Sequence, residues 1–67
     1  MQMNMHSMKS VILTKAVIEL KTRNKITYKS RPITTEDLLK RFNIKPNQIR
    51  TMNIQTITGE NIYYYNY

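Results

Sequence analysis

The fold class of this 67-residue chain depends on one stretch, IELKTRNKITY at residues 18–28. A three-residue loop at residues 22–24 would fold this stretch into a β-hairpin, because Asn24 would hold the last loop position, where a left-handed backbone is required. The register of such a hairpin pairs Leu20 with Ile26 and Ile18 with Tyr28. Since that register gives both strands one apolar face and one charged face, the sequence favours a hairpin.

An amphipathic helix is the competing interpretation of residues 11–31. Its apolar stripe, at the i, i+3, i+4, i+7 spacing of a helix, would contain Leu13, Ala16, Val17 and Leu20. Many residues in this segment are β-branched, which restricts χ1 and lowers helix propensity, and Ile12 and Ile18 would lie off the stripe. We therefore expect strands on both sides of the loop.

A short helix is predicted over residues 35–42. Thr34 can cap it by accepting a hydrogen bond from the N–H of Asp37, the third helical position, and Ile33 can pack on Leu38 as a hydrophobic staple. The apolar face of this helix consists of Leu38, Leu39 and Phe42. The helix should therefore pack on the sheet through these three side chains.

A second hairpin is predicted from residues 49–58 and 61–67. Gly59 suits the first position of a two-residue type II′ turn that it forms with Glu60. This turn sets three cross-strand pairs: Ile57 with Ile62, Thr56 with Tyr63, and Ile54 with Tyr65. Gln55 and Tyr64 then share the opposite side of the hairpin.

Together these elements predict a small α+β protein. Residues 10–67 should form a single domain with a β-hairpin–helix–β-hairpin (ββαββ) order, in which an antiparallel sheet packs on one helix. Residues 1–9 hold four of the five Met residues and show no hydrophobic period, so we expect a disordered tail there. The last strand is apolar and lacks Lys or Pro, which suggests a homodimer formed through this C-terminal strand.

Composition excludes several classes of protein. The chain has no Cys and one His, so disulfides and cysteine-based zinc sites are excluded, and we expect no metal and no cofactor. No apolar run approaches the roughly 20 residues of a membrane span, and no signal-peptide pattern is present, so we expect no membrane contact and a cytoplasmic location. Ile, Lys, Asn and Tyr are frequent, and codons poor in G and C can encode them. This indicates an AT-rich genome, such as that of a Gram-positive bacterium, one of its phages or plasmids, or a parasite, and we expect an accessory protein of a phage or another mobile element.

Catalysis is not expected either. Glu36 and Asp37 are used at the start of the predicted helix, and His6 falls in the predicted tail. The sequence has neither a nucleophile with a matched base nor a glycine-rich phosphate loop. We therefore predict a non-enzymatic protein.

Positive charge is concentrated in the first half of the chain. Residues 1–33 hold seven Lys and Arg and one Glu, whereas residues 34–67 hold four Lys and Arg and three acidic residues. The densest group lies at the tip and on the polar face of the first predicted hairpin: Lys21, Arg23, Lys25, Lys29 and Arg31. We expect this group to contact nucleic-acid phosphates and Tyr64 to stack on a base. The alternative is that these charges form a solvated face that only keeps a small protein soluble.

Residues 35–52 resemble a bacterial helix-turn-helix unit. The resemblance is carried by apolar residues around a turn at Asn43: Leu38, Phe42, Ile44, Ile49 and Met52. It implies a winged-helix DNA-binding regulator, with Gly59 and Glu60 at the tip of the wing. The residues it implies in the major groove are Lys45, Asn47, Gln48, Arg50 and Thr51.

The leading prediction is a small basic nucleic-acid-binding protein with an accessory or regulatory role. Two alternatives remain open at this point. One is the winged-helix regulator, and the other is a small inhibitor or adaptor that docks on an acidic protein surface through the same basic hairpin. The sequence does not distinguish DNA from RNA.

Overall fold

Five strands and one α-helix make up the described part of the chain, which in this computed structural model is residues 2–5 and 8–66, with residues 2 and 3 described by their backbone only. The elements are, in chain order, β1 (Gln2–Asn4), β2 (Ile12–Leu20), β3 (Lys25–Thr34), α1 (Thr35–Arg41), a 3₁₀ turn (Pro46–Gln48), β4 (Ile49–Thr56) and β5 (Asn61–Tyr65). The strands form one sheet in the order β1-β5-β4-β2-β3. None of the helices in this part of the chain is long and apolar enough to cross a membrane.

The two hairpins are joined into one sheet by antiparallel pairing of β2 with β4. Ala16 lies opposite Ile54 and Ile18 lies opposite Met52 in this pairing. The predicted α+β class, with four antiparallel strands and one helix, is confirmed. The ββαββ order is incomplete, because β1 adds a fifth strand that runs parallel to β5.

The N-terminal segment predicted to be a disordered tail contributes this fifth strand. Residues 2–4 pair with residues 63–65, and the side chain of Met5 is buried. The sheet edges in the described structure are therefore β1 and β3. The predicted dimer contact through the C-terminal strand is not supported, since β5 has a neighbour on each side.

The first hairpin forms as predicted, but its register differs by two residues. Its loop is residues 21–23, closed by a 2.8 Å hydrogen bond from the N–H of Leu20 to the carbonyl of Asn24. The left-handed residue is Arg23, with φ of 74°, rather than Asn24. Ile18 consequently pairs with Ile26 and Ala16 with Tyr28. An even shift keeps every side chain on its predicted face, because the side-chain period of a strand is two.

The second hairpin has a different loop and a register shifted by three residues. The loop is residues 57–59, with Gly59 at its last position and a φ of 88°, and the N–H of Thr56 donates to the carbonyl of Glu60 at 2.8 Å. Ile54 pairs with Ile62 and Met52 with Tyr64. An odd shift exchanges the two faces of a strand pair. The predicted register was therefore wrong: Ile57 is 56% exposed in the loop.

The helix begins and ends close to its predicted limits. Oγ1 of Thr34 accepts a hydrogen bond from the N–H of Asp37 at 3.1 Å, and Asn43 is left-handed with φ of 54°. Leu38 is fully buried, whereas Phe42 is 37% exposed and was wrongly assigned to the core. Phe42 is the C-cap residue, so its backbone has already left the helical conformation that would align it with the apolar face.

The implied helix-turn-helix is not formed. The segment that would supply the recognition helix consists of the 3₁₀ turn and β4. Strand formation agrees with the β-branched residues that recur along β4, which fit a pleated surface better than a helix. No second α-helix is present in the described part of the chain, which removes the winged-helix alternative.

One hydrophobic core lies between α1 and one face of the sheet. Its buried apolar members are Met5, Leu13, Ala16, Ile18, Tyr28, Leu38, Leu39, Ile44, Ile49, Met52, Ile54, Ile62 and Tyr64. The strand members of this set alternate with exposed or half-buried residues that point away from the helix. The opposite face of the sheet is consequently left without a covering layer in the described structure.

Candidate nucleic-acid interface

The uncovered side of the sheet, which we call the open face, is built from alternate residues of β2 to β5. Its members are Lys15, Val17 and Glu19 on β2, Lys25, Thr27 and Lys29 on β3, Thr51, Asn53 and Gln55 on β4, and Asn61, Tyr63 and Tyr65 on β5. All twelve are exposed or half-buried. Even Val17, at the centre of the sheet, is 42% exposed.

Strand pairing arranges the open face in three rows that cross the sheet. From β3 to β5 the rows read Lys29-Lys15-Gln55-Asn61, Thr27-Val17-Asn53-Tyr63, and Lys25-Glu19-Thr51-Tyr65. Three lysines therefore lie on the β2 and β3 side, with Glu19 as the one carboxylate of the face. Amides, a hydroxyl and two phenol rings occupy the β4 and β5 side.

A shallow depression marks the middle of this face. It has a volume of about 170 Å³, and residues of β2, β4 and β5 line it, including Lys15, Val17, Asn53 and Gln55. On this face Val17 is a short side chain between the longer Lys15 and Glu19 of β2. The depression provides a recess beside polar groups that can form hydrogen bonds.

The five basic residues predicted to bind nucleic acid are all exposed and lie on the edge strand β3 or in the loop before it. Lys25 and Lys29 share the open face, whereas Lys21 and Arg23 belong to the loop. Arg31 lies in an irregular part of β3, where the register with β2 shifts between Leu13 and Lys15. The structure thus places all five along one edge of the sheet.

The irregular part of β3 is held by a tyrosine below it. The hydroxyl of Tyr28 donates a 2.6 Å hydrogen bond to the backbone carbonyl of Arg31. The side chain of Tyr28 is buried. The guanidinium carbon of Arg41 lies 5.9 Å from the centroid of the Tyr28 ring, within the range of a cation–π contact. The hydrogen bond fixes the backbone of β3 at Arg31, within the row of basic residues along this edge strand.

Tyr64 cannot serve as the predicted stacking ring in this fold. Its side chain is 0% exposed and lies in the core, on the helix side of the sheet. Its hydroxyl has no hydrogen-bond partner among the described residues, and burial raises the pKa of the phenol above the ordinary value of 10.0. The rings that alternate with it, Tyr63 and Tyr65, are on the open face and partly exposed.

Lys15, Tyr63 and Tyr65 lie on the open face, but they are not among the residues that the sequence predicts to bind nucleic acid. Tyr63 and Tyr65 were correctly placed opposite Tyr64, but the three-residue error in register put them on the apolar side. Lys15 was not assigned because its neighbours on the open face come from β3 and β4 at once. The residue pattern of each hairpin predicts pairing only between its own two strands, so neither pattern indicates that β2 pairs with β4.

A second concave surface lies at the end of the sheet, between the 21–23 loop and the end of α1. Its volume is about 400 Å³, and its apolar lining is supplied by Leu20, Ile26, Phe42 and Ile44. Lys21 and Gln48 also line it. Phe42, which is 37% exposed, is therefore part of the wall of this groove.

Metal chemistry has no support in the described residues, since no cluster of three or more His, Cys, Asp or Glu side chains occurs among them. His6 lies outside the described residues. Comparison of the chain with protein-family models, with curated proteins and with solved structures finds no match. Any functional assignment therefore depends on the surfaces of this chain alone.

Proposed function

We propose that this chain is a small non-enzymatic nucleic-acid-binding protein, with an accessory or regulatory role in a phage or another mobile element. One observation carries the proposal: Lys21, Arg23, Lys25, Lys29 and Arg31 are all exposed along one edge strand and its loop. A chain of 67 residues with a net charge of +7 produces a field that attracts polyanions. Phosphate contacts release condensed counterions and supply sequence-independent affinity.

The same residues have a second role that does not conflict with binding. β3 is a sheet edge, and lysines on an edge strand discourage pairing with other chains. Edge protection explains charge on β3, but it does not require Lys21 and Arg23 in the loop or Lys15 on the neighbouring strand. Nucleic-acid binding accounts for all of these positions.

A salt titration tests the proposal. Fluorescence anisotropy would measure the affinity for duplex DNA, single-stranded DNA and RNA between low and physiological salt. The double variant Lys25→Glu with Lys29→Glu should weaken binding broadly across sequences and flatten the slope of log affinity against log salt by about 1.4 or more for a single strand.

A matched control has the same change in net charge at a different place. Lys40→Glu with Lys45→Glu alters two exposed residues, one on α1 and one before the 3₁₀ turn, neither of which belongs to β3 or to the loop before it. This control should retain most of the parent's affinity. Equal losses in the two double variants would reduce the effect to net charge alone, and a parent that binds no nucleic acid at low salt would overturn the proposal.

An adaptor that docks on an acidic protein surface is the second candidate function, and the groove at the end of the sheet favours it. Phe42 and Leu20 offer apolar contact there, and Lys21 adds a positive rim. Under this candidate, Phe42→Ala should weaken binding to an acidic peptide probe that alternates Glu and Leu. Under the leading proposal, the same variant should leave nucleic-acid affinity unchanged.

A further inference from the structure

The open face carries two tyrosines on one strand, and their spacing suits separate bases. Tyr63 and Tyr65 are two residues apart on β5 and project from the same side of the sheet. Two residues of a strand span about 6.8 Å. This is twice the roughly 3.4 Å rise of stacked bases in a duplex strand, so the two rings match the bases of an extended, unstacked strand.

Polar side chains lie directly beside each ring. Asn53 is the cross-strand neighbour of Tyr63, and Thr51 is the neighbour of Tyr65. Amide and hydroxyl groups can both donate and accept hydrogen bonds, as the edges of bases and the ribose 2′-hydroxyl require. The depression lined by Asn53 and Gln55 adds a recess beside these polar groups.

Positive charge lies across the sheet from the rings. Lys15 and Lys29 end one row of the open face, and Lys25 ends another. Neighbouring strands are about 4.8 Å apart, so β2 lies roughly 10 Å from β5 and β3 roughly 14 Å from it. A single strand whose bases cover β4 and β5 can therefore place its phosphates over the lysines of β2 and β3.

A duplex does not fit this surface. Bases inside a duplex are stacked on each other and cannot present a ring face to tyrosine. The helix α1 packs on the other face of the sheet, so it is not part of this surface. The chemistry of this face therefore suits unpaired bases, and its amides and hydroxyls suit RNA, which offers a 2′-hydroxyl at each nucleotide.

We infer that the open face binds single-stranded RNA, with Tyr63 and Tyr65 as stacking platforms and Lys15, Lys25 and Lys29 as phosphate contacts. This inference rests on the proposed nucleic-acid-binding function and names its ligand class and its binding surface. It moves the centre of recognition from the tip of the first hairpin to the middle of the sheet. Lys21 and Arg23 in the loop then lie beyond one end of the bound strand.

The test compares ring removal with ring conservation. The probe is a fluorescein-labelled, mixed-sequence, single-stranded RNA of ten nucleotides. Two comparison probes have the same sequence, one as single-stranded DNA and the other as an RNA duplex. Tyr63→Val and Tyr65→Val retain strand propensity and should each weaken RNA binding about tenfold, since one stacked base is lost. Tyr63→Phe and Tyr65→Phe keep the ring and should stay within about threefold of the parent.

Two further measurements separate stacking from a structural role. Thermal melting of each variant shows whether the domain is folded. The difference in tyrosine-fluorescence quenching by RNA between the parent and the valine variants reports contact with Tyr63 and Tyr65. Phe42→Ala removes an exposed ring from outside the open face and should leave RNA affinity unchanged. Folded valine variants that bind as tightly as the parent, or that show the same quenching as the parent, would overturn the inference.

The outcomes also separate this inference from the proposed function. If Lys25→Glu with Lys29→Glu weakens binding but ring removal does not, the protein binds nucleic acid by its basic edge and the stacking inference is wrong. Tighter binding of the DNA strand or of the RNA duplex than of the RNA strand would overturn the assignment to single-stranded RNA. Preference for the RNA strand with loss on ring removal would support it.

Discussion

Lys15 and Lys29 lie directly opposite each other across β2 and β3, both exposed on the open face. The other neighbour of Lys15, on β4, is the neutral Gln55. Like charges in facing positions of an antiparallel pair are destabilising. Such a pair costs stability in the free protein and becomes favourable when an anion lies between the two ammonium groups. Under the proposed function, this pair is one of the phosphate contacts.

The lysine pair predicts opposite effects on stability and binding. Lys29→Glu replaces repulsion by attraction to Lys15, so the melting temperature at low salt should rise by about 2–4 °C for a gain of about 0.5 kcal/mol. Nucleic-acid affinity should fall in the same variant. Calorimetry and anisotropy check the two effects.

A control for this prediction is the effect of salt on the melting temperatures of the Lys29→Glu variant and the parent. The difference in melting temperature between Lys29→Glu and the parent should shrink at about 1 M salt, where exposed charges are screened. If the Lys29→Glu variant melts at a lower temperature than the parent at low salt, Lys15 and Lys29 do not repel each other in the folded protein.

Helix packing predicts a large difference between two apolar residues of similar sequence context. Leu38→Ala should lower the free energy of unfolding by about 2–5 kcal/mol, because Leu38 is fully buried and leaves a cavity. Phe42→Ala should cost less than Leu38→Ala, because 37% of Phe42 is already in solvent. Urea unfolding of the two variants measures both values, and equal losses would place Phe42 in the core.

The buried phenol of Tyr64 predicts a change with pH. Its pKa is raised by burial above the value of 10.0 that applies to the unfolded chain, so the folded state holds the proton more tightly. The free energy of unfolding should therefore fall as pH rises above about 10. Tyr64→Phe should remove this part of the alkaline loss.

Tyr64→Phe should also stabilise the domain at neutral pH. The hydroxyl has no partner among the described residues, and a buried hydroxyl without a hydrogen bond costs about 1–3 kcal/mol. Thermal melts of Tyr64→Phe beside Tyr63→Phe, which removes a hydroxyl from the open face, test this prediction. A clear loss of stability in Tyr64→Phe would mean that its hydroxyl is hydrogen-bonded.

The loop before β3 predicts a stabilising substitution. Arg23 has φ of 74°, a conformation that costs a residue with a Cβ roughly 1–2 kcal/mol. Arg23→Gly should relieve this cost and raise the melting temperature, although the unfolded chain gains freedom that offsets part of the gain. Arg23→Ala removes the same charge and keeps the strain, so it should not show the increase.

The local elements of this fold were within reach of sequence reasoning. The cap at Thr34, the left-handed Asn43 and the alternation of apolar and charged residues near Lys25 depend on neighbours a few residues away. Both hairpins were located for the same reason. The five basic residues were found exposed on one hairpin because charged side chains on a strand rarely point into a core.

The sequence by itself determined which segments become β2 to β5, where the helix starts and which hairpin carries the charge, because short-range sterics, capping and periodicity decide those features. Only the tertiary structure decided that β2 pairs with β4, that β1 covers β5, and that Tyr64 is buried while Tyr63 and Tyr65 face outward. Several registers of a hairpin satisfy a local pattern almost equally well. Packing of both hairpins against Leu38 and its neighbours selects one of them, and a shift of three residues in that choice exchanges the core with the open face.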